Sequence, residues 1–184
     1  MYQPLVSIII PAYNSERFLG EAIQSALSQT WKRTEVIVAD DGSTDGTLRV
    51  AQSFRSTRIK VLEAEHRGQS SAANKGFALA QGDLIKFFDA DDVLSANFVE
   101  LQVNRLEGQS DSVATATYRR FSRSRMEADL PCHVIRDDLP GIDWLVRSFG
   151  SDSMLGLPLW LIPRTVLDRS GLWDERLSLE NDYE

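Results

Sequence analysis

Three aspartates fall within four residues at Asp89-Ala90-Asp91-Asp92. Carboxylates that close repel one another unless a cation or hydrogen-bond donors offset their charge. Alternate side chains of an extended backbone point the same way, which groups Asp89 with Asp91 and turns Asp92 aside. An all-oxygen set suits magnesium or manganese, which bind through a few carboxylates plus substrate phosphates. Helix capping is the plainer role, since Asp91 and Asp92 precede an amphipathic stretch from Ala96, but it accounts for one aspartate and not the cluster. A second acidic run, Asp40-Asp41-Gly42-Ser43-Thr44-Asp45-Gly46, opens like a calcium loop. Counting from Asp41, the position that needs a bidentate glutamate is Gln52, so calcium is excluded. What remains is a strand-to-helix turn capped by Ser43 or Thr44, with a carboxylate able to accept bonds from a nucleobase or ribose. The turn Pro11-Ala12-Tyr13-Asn14 lacks the glycines of a dinucleotide fingerprint, and no Gly-x-x-x-x-Gly-Lys loop occurs. Tyr13 could stack on a base or simply pack.

Each of these runs follows an apolar segment. Residues 5–10, 35–39, 59–62 and 84–88 read as buried strands. Residues 18–27 (capped by Asn14 or Ser15), 44–54, 69–80 and 96–106 read as amphipathic helices, and 113–118 as a further strand. Such alternation implies right-handed crossovers and an α/β fold, a Rossmann-like, mainly parallel sheet sandwiched by helices. Ligands bind beyond the carboxyl ends of such strands, so the polar clusters converge on one rim. Farther on, residues 119–136 form a charge-rich connection containing Pro131. Residues 142–149 look helical, 158–162 extended, and 165–170 a short helix stopped by Gly171. The chain ends in Glu180-Asn181-Asp182-Tyr183-Glu184 with no turn after it, and reads as the N-terminal part of a longer protein.

The elements need a core, and the composition supplies one. The chain has 184 residues, 42% hydrophobic, with 20 Lys plus Arg against 27 Asp plus Glu and a net charge of −7. That is the length of one domain, here taken as 1–184. An acidic balance argues against nucleic acid as a partner. No apolar run is long enough to span a bilayer, and Met1-Tyr2-Gln3-Pro4 does not begin a secretory signal, which implies a cytoplasmic setting. The single cysteine, Cys132, has no disulfide partner and receives no role, and His66 and His133 read as ordinary polar positions.

Four motifs in order then resemble a family 2 glycosyltransferase of the GT-A fold. They are Val6-Ser7-Ile8-Ile9-Ile10-Pro11-Ala12-Tyr13-Asn14, Val38-Ala39-Asp40-Asp41-Gly42-Ser43-Thr44-Asp45, Gly68-Gln69-Ser70-Ser71-Ala72-Ala73-Asn74-Lys75-Gly76 and Asp89-Ala90-Asp91-Asp92. The resemblance implies an inverting, hexosyl-type transferase of the kind used in polysaccharide biosynthesis. Its donor would be a nucleotide-diphosphate sugar (a UDP-sugar foremost), its acceptor a carbohydrate or a lipid-linked sugar, and its cation Mg2+ or Mn2+. It also divides the domain into a nucleotide-sugar half, 1–118, and an acceptor half, 119–184, which an acceptor on a membrane could recruit there through the full-length protein. Carried over by position, Pro11, Ala12, Tyr13, Asp41, Asp89 and Ala90 are nucleotide-binding, with Asp41 recognising the base. Asp91, with Asp89 as its partner, is the metal ligand. Ala73 stands where many relatives have arginine, so that donor contact is absent or passes to Arg67 or Lys75. Pro158-Leu159-Trp160-Leu161-Ile162-Pro163-Arg164 and Gly171-Leu172-Trp173-Asp174-Glu175-Arg176-Leu177 resemble the acceptor side, where Trp160 and Trp173 could stack on sugar or pack. Asp182 is the implied catalytic base, with Glu180 as its alternative.

Three rival readings stand beside it. A sugar-phosphate nucleotidyltransferase would carry a glycine-rich, basic loop after the first strand, where this chain has Pro11-Ala12-Tyr13-Asn14. A glycoside hydrolase needs two opposed carboxylates and leaves the clustered aspartates unexplained. A non-catalytic nucleotide-sugar-binding fragment would hold the donor without turnover.

Overall fold

The computed structural model describes residues 3–119, 137–150 and 156–176. One sheet organises them, built from β1 (Val6–Ala12), β2 (Thr34–Asp40), β3 (Ile59–Glu63), β4 (Leu84–Phe87) and β5 (Ile162–Pro163). Its order is β3-β2-β1-β4-β5, with the first four parallel and β5 antiparallel to β4. The helices are α1 (Leu19–Leu27), α2 (Thr47–Ser53), α3 (Gln69–Leu79), α4 (Phe98–Leu106), α5 (Gly141–Gly150) and α6 (Arg164–Ser170).

The two-residue period of the strands sorts their side chains into two cores. Val6, Ile8 and Ile10 of β1, with Val36 and Val38 of β2, pack against α1, α2 and α4. Helix α1 meets them with Leu19, Ala22, Ile23 and Ala26, a helical stripe, and α4 with Val99, Val103 and Leu106. Ile9, Ile37, Ile85 and Phe87 face the other way, onto Ala73 of α3 and Leu167 of α6. Burying an aliphatic or aromatic side chain of this size contributes about 1.5–3 kcal/mol, so both layers hold the sheet firmly. Helix α3 lies especially close to the sheet, and a Cβ at Gly76 would stand well inside the van der Waals contact of Ile9 Cγ2.

At the amino-terminal ends of the strands, away from the rim, Glu35 is buried as a carboxylate. It accepts hydrogen bonds from Ser7 Oγ (2.6 Å), the Gln81 N–H (2.6 Å) and Lys60 Nζ (2.8 Å). Burial pushes its pKa up, but these bonds together outweigh burial and hold it below the usual carboxylate value.

Several expectations need correction. Residues 113–118 do not form a strand, because Ala114 makes only an isolated antiparallel bridge to Leu161. The extended segment expected at 158–162 opens as a short 3-10 turn, Leu157–Leu159, and only Ile162–Pro163 joins the sheet. Helix α2 begins at Thr47, since it is Asp45 Oδ1 that accepts the Thr47 N–H (2.9 Å), not Ser43 or Thr44. Helix α1 begins at Leu19, because Asn14 and Ser15 serve the neighbouring turns. Helix α4 starts at Phe98 rather than Ala96. Gly171 ends α6 as expected, at φ 83°. Among the described residues no helix is long and apolar enough to cross a membrane. Most of the 119–136 connection, including Cys132 and His133, lies outside the described residues, as do Glu180 and Asp182.

Candidate functional site

The rim is assembled by stitching the loops after β1 and β2 together. Asn14 takes a left-handed backbone, φ 47°, which turns its side chain and N–H toward the second loop. Its Oδ1 accepts the Thr44 N–H (2.9 Å), while its own N–H donates to Ser43 Oγ (3.0 Å). Next to it the Ser15 N–H donates to Thr47 Oγ1 (2.7 Å) and the Glu16 N–H to Asp45 Oδ2 (3.2 Å). The parallel register continues past the strands, with the Asp41 N–H donating to the Ala12 carbonyl (2.8 Å). Gly42 follows at φ 71°, and a Cβ there would come within 2.8 Å of the His66 nitrogen, so this approach needs glycine.

Asp41 sits beneath this surface at 2% exposure, and its carboxylate is held from below. Oδ1 accepts the Arg67 N–H (2.9 Å) and Oδ2 the Gly68 N–H (2.8 Å). The His66 imidazole reaches Oδ2 with Nδ1 (2.7 Å) and lies flat against Tyr13. Gly68 precedes α3, and the next residue, Gln69, extends its amide to Asp89 Oδ1 (3.4 Å). Two successive residues at the start of α3 therefore touch the carboxylates that end β2 and β4.

Past β4, Ala90 is buried, Asp89 is half-buried and Asp91 and Asp92 are exposed. Desolvation and the charge of Asp91 raise the Asp92 carboxyl above its ordinary pKa, with Lys86 opposing them. Lys86 belongs to β4, on the face where alternation demands an apolar residue, and is 0% exposed. Its ammonium donates to the Pro158 carbonyl, lies 3.5 Å from Gln102 Oε1 and sits 4.4 Å over the Phe98 ring. Burial pushes its pKa down to about 7, while the charges of Asp92 and Asp89 pull the other way.

Of the residues expected at the site, Pro11 and Ala12 end β1, and Tyr13, Asp41, Asp89, Ala90 and Asp91 lie on the loops that follow β1, β2 and β4. Ala73 is a core residue packed with Ile9, so position 73 serves packing here. The Arg67 side chain pairs with Glu65 (3.2 Å) while its backbone serves Asp41. Among the described residues no group of three or more His, Cys, Asp or Glu side chains converges to hold a metal.

Residues 156–176 dock beside the rim through α3 and β4. Asn74 Nδ2 donates to the Trp173 carbonyl (2.9 Å) and to Glu175 Oε1 (3.0 Å), and its Oδ1 accepts the Trp173 N–H (3.3 Å). The Asn74 bond, helped by the charges of Lys75 and Arg67, lowers the Glu175 pKa. Trp173 meets Phe87 edge-on, with centroids 4.2 Å apart, and Trp160 meets Trp144 in the same way at 5.3 Å. Both tryptophans therefore have packing roles. His66 is the main correction, being part of the rim and not an ordinary polar position. Its partners lie 25 and 53 residues away (66 − 41 and 66 − 13), so no local pattern announces it. Lys86 left a signal in the sequence, a charge inside the apolar run Leu84-Ile85-Lys86-Phe87-Phe88.

The family model described as "Glycosyl transferase family 2" matches residues 7–143. A glycosyltransferase of Rickettsia prowazekii, RP339, is 33% identical over 202 aligned residues, which take in all of this chain and 58% of that protein. The structure of Staphylococcus aureus TarS residues 1–349 with UDP superposes at a TM-score of 0.76 and 23% identity, over 96% of this chain and 52% of that one. The mannosyltransferase PcManGT of Pyrobaculum calidifontis, solved with GDP-Man and Mn2+, gives 0.69 and 22%, over 96% and 49%. The shared fold is GT-A, and the chain spans about half the length of these proteins.

Proposed function

The chain belongs to glycosyl transferase family 2, and from that premise we propose that it holds a nucleotide-diphosphate sugar across the rim and transfers the sugar, with inversion, to an acceptor hydroxyl. The observation that carries this reading is the meeting of Asp41 and Asp89 at Gly68 and Gln69. A base seated near Tyr13 and Asp41 then has its diphosphate directed toward Asp89 and Asp91, with Pro11, Ala12 and Ala90 lining the path. A UDP-sugar is the leading donor, and a carbohydrate or lipid-linked sugar the acceptor.

Asp89 and Asp91 offer oxygen ligands only, and they stand without a third converging carboxylate among the described residues. That donor set fits Mg2+ or Mn2+ arriving with the diphosphate, whose oxygens complete the shell. The cation would neutralise charge on the departing nucleoside diphosphate. In the transfer, a bond forms between the acceptor oxygen and the anomeric carbon as the bond to the diphosphate breaks on the opposite face. Asp182 would take the hydroxyl proton, with Glu180 as its alternative, a task that typically contributes 10²–10⁴-fold.

Thermal melts with UDP, GDP, dTDP and CDP, with and without Mn2+, test the donor site. Saturation of about 100 times Kd stabilises by about 2.7 kcal/mol. A manganese-dependent rise with at least one nucleotide, lost in Asp91→Ala, is the expected result. Absence of any shift overturns the reading, and unchanged manganese dependence in Asp91→Ala overturns the metal assignment. Because the chain covers 58% of RP339, a domain that binds donor without turnover is the second reading, and a transfer assay separates the two.

A further inference from the structure

We propose that His66 is a removable plug of the base pocket and sets donor affinity by competing with the base for one slot. The inference rests on reading Tyr13 and Asp41 as that pocket.

The imidazole lies on the Tyr13 ring with centroids 4.1 Å apart and planes at 15°. Nδ1 faces two acceptors, the Asp41 carbonyl at 3.1 Å and Oδ2 at 2.7 Å, so the partners assign its hydrogen to that nitrogen. A flat ring that stacks on Tyr13 and donates a ring N–H to Asp41 takes the pose a uracil, thymine or guanine would take. Two rings cannot share it. Asp41 has no second approach, because it is 2% exposed and its remaining bonds come from the backbone of Arg67 and Gly68.

The loop is held by its backbone, whereas the His66 ring is held by its bonds to Asp41 and its stack on Tyr13. Arg67 and Gly68 are tied to Asp41, and the His66 backbone nitrogen is pressed against Gly42. The His66 side chain is 54% exposed, so it can rotate into solvent while the loop stays in place. Donor then binds only the open rotamer, and apparent Kd equals intrinsic Kd divided by the open fraction. This competition is blind to which base enters, since the open fraction multiplies every nucleotide's affinity alike.

The test is calorimetric titration of UDP and GDP, with Mn2+, into the wild-type chain, His66→Ala and His66→Phe. His66→Ala should bind each nucleotide about tenfold tighter by the same factor, as for an open fraction of about one tenth. His66→Phe, which keeps the stack and loses the bond to Asp41, should fall between wild type and His66→Ala. Equal or weaker binding by His66→Ala overturns the plug and leaves the donor reading intact. If no nucleotide binds any of the three proteins, the donor reading falls and the plug with it. Unliganded melts check folding, and should His66→Ala fail to fold, His66→Phe decides by the same sign.

Discussion

Asn74 and Glu175 are hydrogen-bonded at 3.0 Å although 101 residues separate them in the chain. With the two bonds between Asn74 and the Trp173 backbone, this contact fastens residues 171–176 to the helix that also presents Gly68 and Gln69 to the rim. Asn74→Ala removes all three bonds. A net cost of about 1–3 kcal/mol is expected from the Trp173 N–H and carbonyl left without their partner. Denaturant melts should show that loss, and amide exchange should quicken at 171–176 but not in β1. Uniform quickening across the sheet would mean that the contact supports the whole fold instead.

Gly76→Ala pits two effects against each other. Alanine gains about 1 kcal/mol of helix propensity over glycine. The added methyl must displace Ile9, a stiff β-branched side chain buried between sheet and helix, and overpacking of that kind typically costs about 1–3 kcal/mol. The second term wins, so the melting temperature should fall by a few degrees. A rise would show that α3 can lift from β1 freely.

Lys86 ties stability to alkaline pH. Its proton leaves at about 7 in the folded chain, whereas an unfolded lysine keeps its proton until about 10.4. Between those values the unfolded state binds more protons, so stability from this group rises with pH. Below 7 both states are protonated and the slope vanishes. Wild type should therefore gain on Lys86→Met as pH rises from 7 to 9, by at most about tenfold in folding constant per pH unit. Parallel stability curves for the two proteins from pH 6 to 9 would refute this.

Glu35 acts at the other end of the scale. Its carboxyl is held below the ordinary value, so the stability it contributes is complete above the unfolded pKa of about 4.3 and is lost as pH falls through the folded one. Glu35→Gln should be less stable than wild type at pH 7 and approach it near pH 3, where the wild-type carboxyl is also neutral. Urea melts at both pH values give the comparison. A gap that stays constant would assign the loss to shape and not charge.

The first four strands and four helices were legible because each carries its period over enough residues to fix a face, as Val6, Ile8 and Ile10 do against Ile9. Helix starts were less so. Asp45 Oδ2 accepts from Glu16, Asn14 Oδ1 from Thr44, and the Ser15 N–H donates to Thr47 Oγ1, and those partners, about 30 residues away, are invisible to a reading of neighbours. Residues 113–118 have strand composition, yet Ala114 finds only Leu161 to pair with, and tertiary packing overrides β propensity. The acidic runs announced the rim, since carboxylates at strand ends have few uses. Nothing in the local sequence showed that His66 closes over one of them.

Strand β5 brings only Ile162 and Pro163 to the sheet. In folding terms β1 to β4 close through successive crossovers, while residues 156–176 must return across most of the chain to a platform that already exists. Loop closure over such separations is slow. The docked segment is nonetheless held by more than its two-residue strand, with Leu161, Ile162 and Leu167 in the cores and the Arg164 guanidinium donating to the Gly82 and Ala80 carbonyls. The segment is expected to join last, yet its removal would uncover Leu161 and Leu167 and leave the Lys86 ammonium without the Pro158 carbonyl, so it is bound into the same cores as the sheet. Late docking and firm holding are thus separate properties of this segment, the first set by separation along the chain and the second by burial.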